Sequence, residues 1–192
     1  MAGVAVVFHS GFGHTKVVAE RVAAGVRSVA GVEAALIPVE ELPAPGKDRS
    51  YGGRWPELDA ADGLIFGCPT YMGSLSAELK RFMEHSSAIW FRQGWKDKIA
   101  GGFTNSGGLS GDKFNTMVDL VAFAGQHSMI WVSQGLMQDG KGANRISSWL
   151  GVMTQSDAGK GPDAAPPEAD RATAEAYGRR IAEAVLRWRR DR

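Results

Sequence analysis

Val4-Ala5-Val6-Val7-Phe8-His9-Ser10-Gly11-Phe12-Gly13-His14-Thr15 contains three kinds of sequence in twelve residues. Val4 to Phe8 is a short, unbroken apolar run, the pattern of a parallel strand buried on both faces. His9 to Gly13 is small and polar, and reads as a loop. From His14 onward the apolar residues return at helical spacing, with Val18, Val22, Val26 and Val29 on one face. Lys16, Glu20, Arg21 and Arg27 lie mostly on the other. A buried strand that feeds a helix through a glycine-bearing turn is half of a βαβ unit, and the rest of the chain repeats it.

Val32 to Val39 reads as a second strand, nearer a sheet edge because it carries Glu33. Leu64 to Phe66 is a third, followed by a helix striped by Leu75, Leu79, Phe82 and Met83. Ile99 to Phe103 is a fourth, followed by a helix marked by Phe114, Met117, Val118 and Val121. Met129 to Val132 is a fifth, and a last helix carries Tyr177, Ile181, Val185 and Trp188. Alternation of this kind predicts an α/β protein with a parallel sheet covered on both faces. Glu41 to Pro56 and Ser133 to Pro167 read as loops. The second is long for a connection without structure, which marks it as an insertion with a role at the surface or at a site.

Composition narrows the function classes. The 192 residues are 44% hydrophobic and 22% charged with a net charge of +1, so no global field favours nucleic acid or an anionic membrane. No apolar run approaches the ~20 residues of a membrane helix. Cys68 is the single cysteine, which favours a reducing compartment and, with no signal pattern around Val4 to Phe8, a cytoplasmic protein. His9, His14 and His85 have no carboxylate or cysteine partners at metal-ligand spacing, so no metal site is expected.

In an open parallel sheet a ligand binds beyond the carboxyl ends of the strands. Three of those ends carry unusual loops: His9 to Thr15, Cys68 to Gly73, and Thr104 to Gly108. With strand order 2-1-3-4-5, the strands that bear them are neighbours and the loops converge. The first suits a phosphate monoester, because glycines admit close backbone approach and a helix N-terminus presents N–H groups to an anion. Ser10, His14 and Thr15 add side-chain donors. Gly13-His14-Thr15-Lys16 lacks the Gly-Lys-Ser/Thr ending of a P-loop, and Lys16 occupies the place of the third glycine of the dinucleotide fingerprint. The second loop, with Pro69, Tyr71, Met72 and Gly73, suits a flat aromatic ring. Cys68 reads as a packed residue at a strand end.

Taken together these segments resemble the flavodoxin superfamily, and within it the WrbA type of NAD(P)H:quinone oxidoreductase. The likeness runs through Val7–Thr15, Phe66–Ser76, Phe103–Gly108 and Gln126–Ile130. The resemblance implies a flavodoxin-like three-layer sandwich over residues 1–192 as one domain, with the insertion at about 133–167. It implies that Ser10, Gly11, Phe12, Gly13, His14 and Thr15 hold the phosphate of FMN. Pro69, Thr70, Tyr71, Met72, Gly73, Thr104, Asn105, Ser106, Gly107 and Gly108 would hold its ring and ribityl chain. NAD(P)H and a small quinone-like acceptor would be the substrates, with Phe12 near the nicotinamide and Trp90 and His127 at the quinone pocket. His127 could donate a proton or hydrogen bond to the acceptor. A homodimer or homotetramer is implied. The glycine-proline-tyrosine segment usual in the family is not recognisable, and Asn144 to Trp149 stands in its place.

A helix from Leu75 to Ala88 would carry the chain about 20 Å from the cofactor loops. Trp90 and His127 would then serve a neighbouring subunit, with Trp90, Phe91 and Trp95 forming an apolar patch. Three other readings stay open, the first two being an electron carrier, for which a net charge of +1 is unusual, and a flavin-binding regulatory or interaction protein. A reductase that releases reduced flavin is a third.

Overall fold

A computed structural model describes residues 1–140 and 142–190. Among the described residues, strands β1 (Ala2–Phe8), β2 (Val32–Pro38), β3 (Gly63–Tyr71), β4 (Ser74–Leu75), β5 (Ile99–Ser106), β6 (Ile130–Trp131) and β7 (Val152–Gln155) are interspersed with six α-helices. The helices are α1 (His14–Arg27), α2 (Trp55–Ala60), α3 (Ala77–His85), α4 (Ser87–Phe91), α5 (Lys113–Gln126) and α6 (Glu168–Arg190).

The long strands lie in the order β2-β1-β3-β5-β6 and every pair among them is parallel. This is the expected 2-1-3-4-5 arrangement, with β5 and β6 as the fourth and fifth strands. The last position is shared. β6 pairs with Ile99 and Ala100 at the start of β5, and β7 pairs with Phe103 to Ser106 at its end. The insertion is therefore not a plain loop: it leaves the sheet after β6 and returns as a strand beside the part of β5 that leads to the cleft.

Side chains alternate across β1, as the two-residue period of a strand requires. Val4, Val6 and Phe8 join a core with α1 and α6, while Ala5 and Val7 join a core on the other face. The second core is aromatic. Trp55, Phe66, Phe82, Trp95 and Phe123 pack with ring centroids 5.1–6.5 Å apart. Trp55 belongs to α2, a helix that begins within the segment expected to be loop. Trp95 is fully buried, so it is part of this core and not of the surface patch expected from the sequence.

Two helices also depart from expectation. The single helix from Leu75 to Ala88 is two, broken at Ser86, and Leu75 belongs to β4. In α5 the inward face is Lys113, Thr116, Met117, Leu120, Phe123 and Ala124, whereas Phe114 and Val118 point to solvent. An apolar stripe misses this face because a lysine and a threonine occupy its first turns. Both have hydrogen-bond partners inside the protein.

Candidate functional site

The carboxyl ends of β1, β3 and β5 open into one cleft of about 410 Å³. After β1, the N–H of His9 donates to the Gly67 carbonyl at 3.0 Å, which fixes the start of the first loop against β3. Gly13 turns the chain with φ 88°, a conformation glycine adopts without cost, and α1 follows at once. No acidic side chain stands in the first turn of α1, so the positive end of its dipole is not offset. The Ser10 hydroxyl accepts from the Lys16 N–H at 3.1 Å and caps the helix from outside it.

After β3 comes a hairpin, not a strand-to-helix turn. Pro69, Thr70 and Tyr71 are still in the strand, and Met72 and Gly73 make the turn with φ 49° and 78°. Tyr71 then pairs with Ser74 on β4. Asn115 of α5 donates to the Gly73 carbonyl at 2.9 Å, and Ser74 donates to Asp119 at 2.7 Å, so α5 holds the hairpin.

Thr104 Oγ1 donates to the Cys68 carbonyl at 2.7 Å. Each hydroxyl has one hydrogen, so Thr70 donates to Thr104 at 2.8 Å and Thr116 donates to Thr70 at 2.7 Å. This buried chain joins β3, β5 and α5. Cys68 is buried beside it, and desolvation pushes its thiol up to about 12. It is a packed residue.

Of the residues expected at the cofactor, the cleft is lined by Gly11, Phe12, His14, Thr15, Pro69, Thr70, Tyr71, Asn105, Ser106 and Gly107. Ser10, Gly13, Met72, Gly73, Thr104 and Gly108 do not line it. Ser10, Gly13, Met72 and Gly73 shape its loops, and Thr104 is fully buried in the hydroxyl chain. Phe12 is 77% exposed, and the Tyr71 hydroxyl stands over Gly11 where any side chain would collide with it.

The sequence reading missed two contributors. Ser156 to Lys160, the stretch after β7, forms a further wall of the cleft. His14 Nε2 donates to the Lys160 carbonyl at 2.8 Å, and Asn105 Oδ1 accepts from Thr154 at 2.8 Å and Ser156 at 3.0 Å. With its oxygen so engaged, Asn105 has its NH2 group left as a donor. The Gly, Ser and Asp content of the insertion was the only signal of this wall. The second contributor is Lys113. Its buried Nζ donates to Ser106 Oγ at 2.9 Å, to the Gly108 carbonyl at 2.7 Å and to the Leu109 carbonyl at 3.0 Å.

Trp90 and His127 are brought together, but elsewhere. They line a second cleft, of about 600 Å³ between α3, α4 and α5, which shares no residue with the first. The His127 ring lies against Trp95 at 4.6 Å and Phe123 at 4.9 Å. Ser86 Oγ donates to the Met83 carbonyl at 2.7 Å, so it can only accept from His127 Nε2 at 2.9 Å. That bond places the proton on Nε2 and leaves Nδ1 buried without a partner. Burial pushes the ring's pKa down to about 4. Donation to an acceptor, the role expected of His127, is not open to it in this arrangement, because its one N–H is engaged and the ring is neutral.

A pH effect follows. An unfolded histidine takes up its proton near pH 6.5 and this one near 4, so the unfolded state binds more protons between those values and stability falls as pH falls through them. From pH 7.5 to pH 5 the loss from His127 is about 2 kcal/mol. Urea unfolding of the wild type and His127→Phe at both values measures it, and the variant is expected to lose less on acidification. An equal loss in both proteins would contradict the assignment.

The fold and the cleft define a flavodoxin-like protein, a sandwich with its candidate site at the carboxyl ends of three adjacent strands. More narrowly, the chain belongs to the NADPH-dependent FMN reductase family, whose model matches residues 7–143. It is 35% identical to flavodoxin FldP of Pseudomonas aeruginosa over 95% of this chain and 96% of that protein. It is 31% identical to NAD(P)H dehydrogenase (quinone) of Geobacter sulfurreducens over 94% and 96%. Among solved structures, the flavodoxin, WrbA-like protein from Agrobacterium tumefaciens matches with a TM-score of 0.73 and 38% identity, covering 97% of this chain and 99% of that one.

Proposed function

We propose that this protein is an FMN-dependent oxidoreductase that carries two electrons from NAD(P)H to a quinone or a similar small acceptor. The observation that carries the reading is the convergence of three strand ends on one cleft with different chemistry at each. The β1 end offers a helix start with no acid in its first turn, suited to a phosphate. The β3 end offers the half-exposed Tyr71 ring and Pro69, which suit a planar ring. The β5 end offers the Asn105 amide, which suits polar edges and a polyol. About 410 Å³ lies in the range of small-molecule sites, ~300–1,000 Å³.

In this reading Ser10 to Thr15 bind the phosphate, with Ser10 and Gly13 acting by shaping the loop. Pro69 to Gly73 and Thr104 to Gly108 frame the ring and its side chain, and Thr104 acts through the strand it braces. Bound there, FMN would supply the two-electron chemistry that links NAD(P)H to the acceptor. The protein's part is to orient both substrates in turn over the open side of the cleft, beside the exposed Phe12.

The reading extends to a cytoplasmic homodimer or homotetramer. Trp90 and Phe91 are 43% and 76% exposed beside the second cleft, and an apolar surface of this kind fits a subunit contact. That contact would bring a neighbour's substrate site to Trp90. Among the described residues no helix is long and apolar enough to cross a membrane.

A specific observation favours the electron-carrier reading as the second: FldP, similar along nearly the whole chain, is named a flavodoxin. One experiment separates the two. The FMN-loaded protein is mixed anaerobically with NADPH and then benzoquinone, with sedimentation at the same concentration. Rapid reduction by NADPH, reoxidation by the quinone and an assembly larger than a monomer are expected. Tight FMN binding with no reduction by NADPH or NADH would leave the carrier, and a fully active monomer would remove the shared-site reading.

A further inference from the structure

Lys113 is the most unusual charged group near the cleft. It is fully buried at the first position of α5, where a cation opposes the helix dipole. Its three N–H groups meet one hydroxyl and two carbonyl oxygens of residues 106–109, and among the described residues no carboxylate bonds to it. Asp170, the acid in its field, is held by Arg145 through bonds of 2.6 and 2.9 Å. Burying an ammonium group without a carboxylate is costly. A methionine of similar length would fill the same space without that cost, so packing does not explain the residue.

Its position does. Ser106 and Gly107 line the cleft, and Lys113 lies behind them, one loop's thickness away. The carbonyls of Gly108 and Leu109 point at the ammonium. In a planar trans peptide the N–H lies opposite the C=O, so the N–H groups of Leu109 and Ser110 are turned away from it. The cation thus fixes the shape of the third loop. It also adds a positive potential on the far side of Ser106, through a buried medium that screens it weakly.

We infer that Lys113 is a positioning residue that sets the 106–109 loop and, through its charge, favours the reduced over the oxidised cofactor in the neighbouring cleft. The inference rests on the flavin reading above. Reduced FMN carries one more negative charge on its ring than oxidised FMN, so a fixed positive charge behind one wall of the cleft strengthens its binding more. Burial lowers the ammonium's pKa to about 8, which leaves it charged at pH 7.

The test uses wild type, Lys113→Met, Lys113→Gln and Lys113→Arg, each stripped of cofactor and titrated with FMN by fluorescence quenching at pH 7. The midpoint potential of each complex is then measured against a reference dye. Lys113→Met and Lys113→Gln are expected to favour reduced over oxidised FMN at least tenfold less than wild type, a potential about 30 mV more negative for a two-electron couple. Lys113→Gln keeps a hydrogen-bond donor and so reports the charge if Lys113→Met does not fold. Lys113→Arg, which keeps the charge, should restore most of the potential. A wild-type potential in Lys113→Gln overturns the role of the charge, and so does an equal shift in all three variants, since it would reflect loop shape alone. Wild type that binds no FMN overturns the flavin reading itself, an outcome the first titration makes separately visible.

Discussion

Gly178→Ala is expected to destabilise the protein by about 3 kcal/mol or more, although alanine is the better helix former. Helices α1 and α6 pack directly on each other over one face of the sheet, and Gly25 and Gly178 lie at the contact. A Cβ on Gly178 would overlap the Val22 carbonyl oxygen, and one on Gly25 would overlap the Glu175 carbonyl oxygen. Both obstacles are backbone, so no rotamer change relieves them and the helices must separate. Separation loosens Val18, Val22, Tyr177 and Ile181, all fully buried in that core. At about 2–4 °C per kcal/mol for a chain of this size, the melting temperature should fall by roughly 10 °C. Gly125→Ala is the control. It lies in α5 with open space around its position, and it should melt at or above the wild-type temperature. A Gly178→Ala protein that melts with the wild type would show that the helices are not in the close contact described.

Neither glycine is legible in the sequence as a packing residue, because a helical pattern shows which residues face inward but not how closely another backbone approaches. The strands were legible for the opposite reason. Val4 to Phe8 and Leu64 to Phe66 are buried on both faces, so composition alone marks them. α2 was missed because it is six residues long and has Pro56 at its start, which reads locally as the end of a loop. The face of α5 was misassigned because Lys113 and Thr116 point inward, and their partners Ser106, Gly108, Leu109 and Thr70 are set by the fold, not by neighbours in the chain.

The site divides in the same way. The three loops could be read because glycine, proline and small polar residues at strand ends have a local meaning, and strand order brings those ends together. The wall from Ser156 to Lys160 could not, since its place depends on β7 joining β5 across an insertion of low regularity. Asn144 is what organises that insertion. Its side chain donates to the Leu136 and Ser148 carbonyls and accepts from the Ser148 N–H, each at 3.0 Å. Arg145 then ties it to Asp170 of α6. The stretch that departs from the family pattern is therefore a structural clasp that delivers Ser156 to Lys160 to the cleft.

Gly13→Val is expected to weaken FMN binding at least a hundredfold while leaving riboflavin binding within about threefold of wild type. The two ligands differ only in the phosphate, so the comparison isolates the first loop. Gly13 has φ 88° directly before α1, and its Cβ position lies 3.1 Å from Pro162 Cγ. A β-branched residue there is strained by about 1–3 kcal/mol and crowds the segment that closes the cleft. Relief comes from rotating the peptides around residue 13, which turns the N–H groups of His14 and Thr15 from the direction an anion needs. A hundredfold loss corresponds to about 2.7 kcal/mol, in line with one or two misdirected hydrogen bonds to a charged group. Quenching titrations with both ligands measure the ratio, and thermal melts of the ligand-free variant show whether the fold is intact. Equal losses for FMN and riboflavin would mean that the phosphate does not sit at the start of α1.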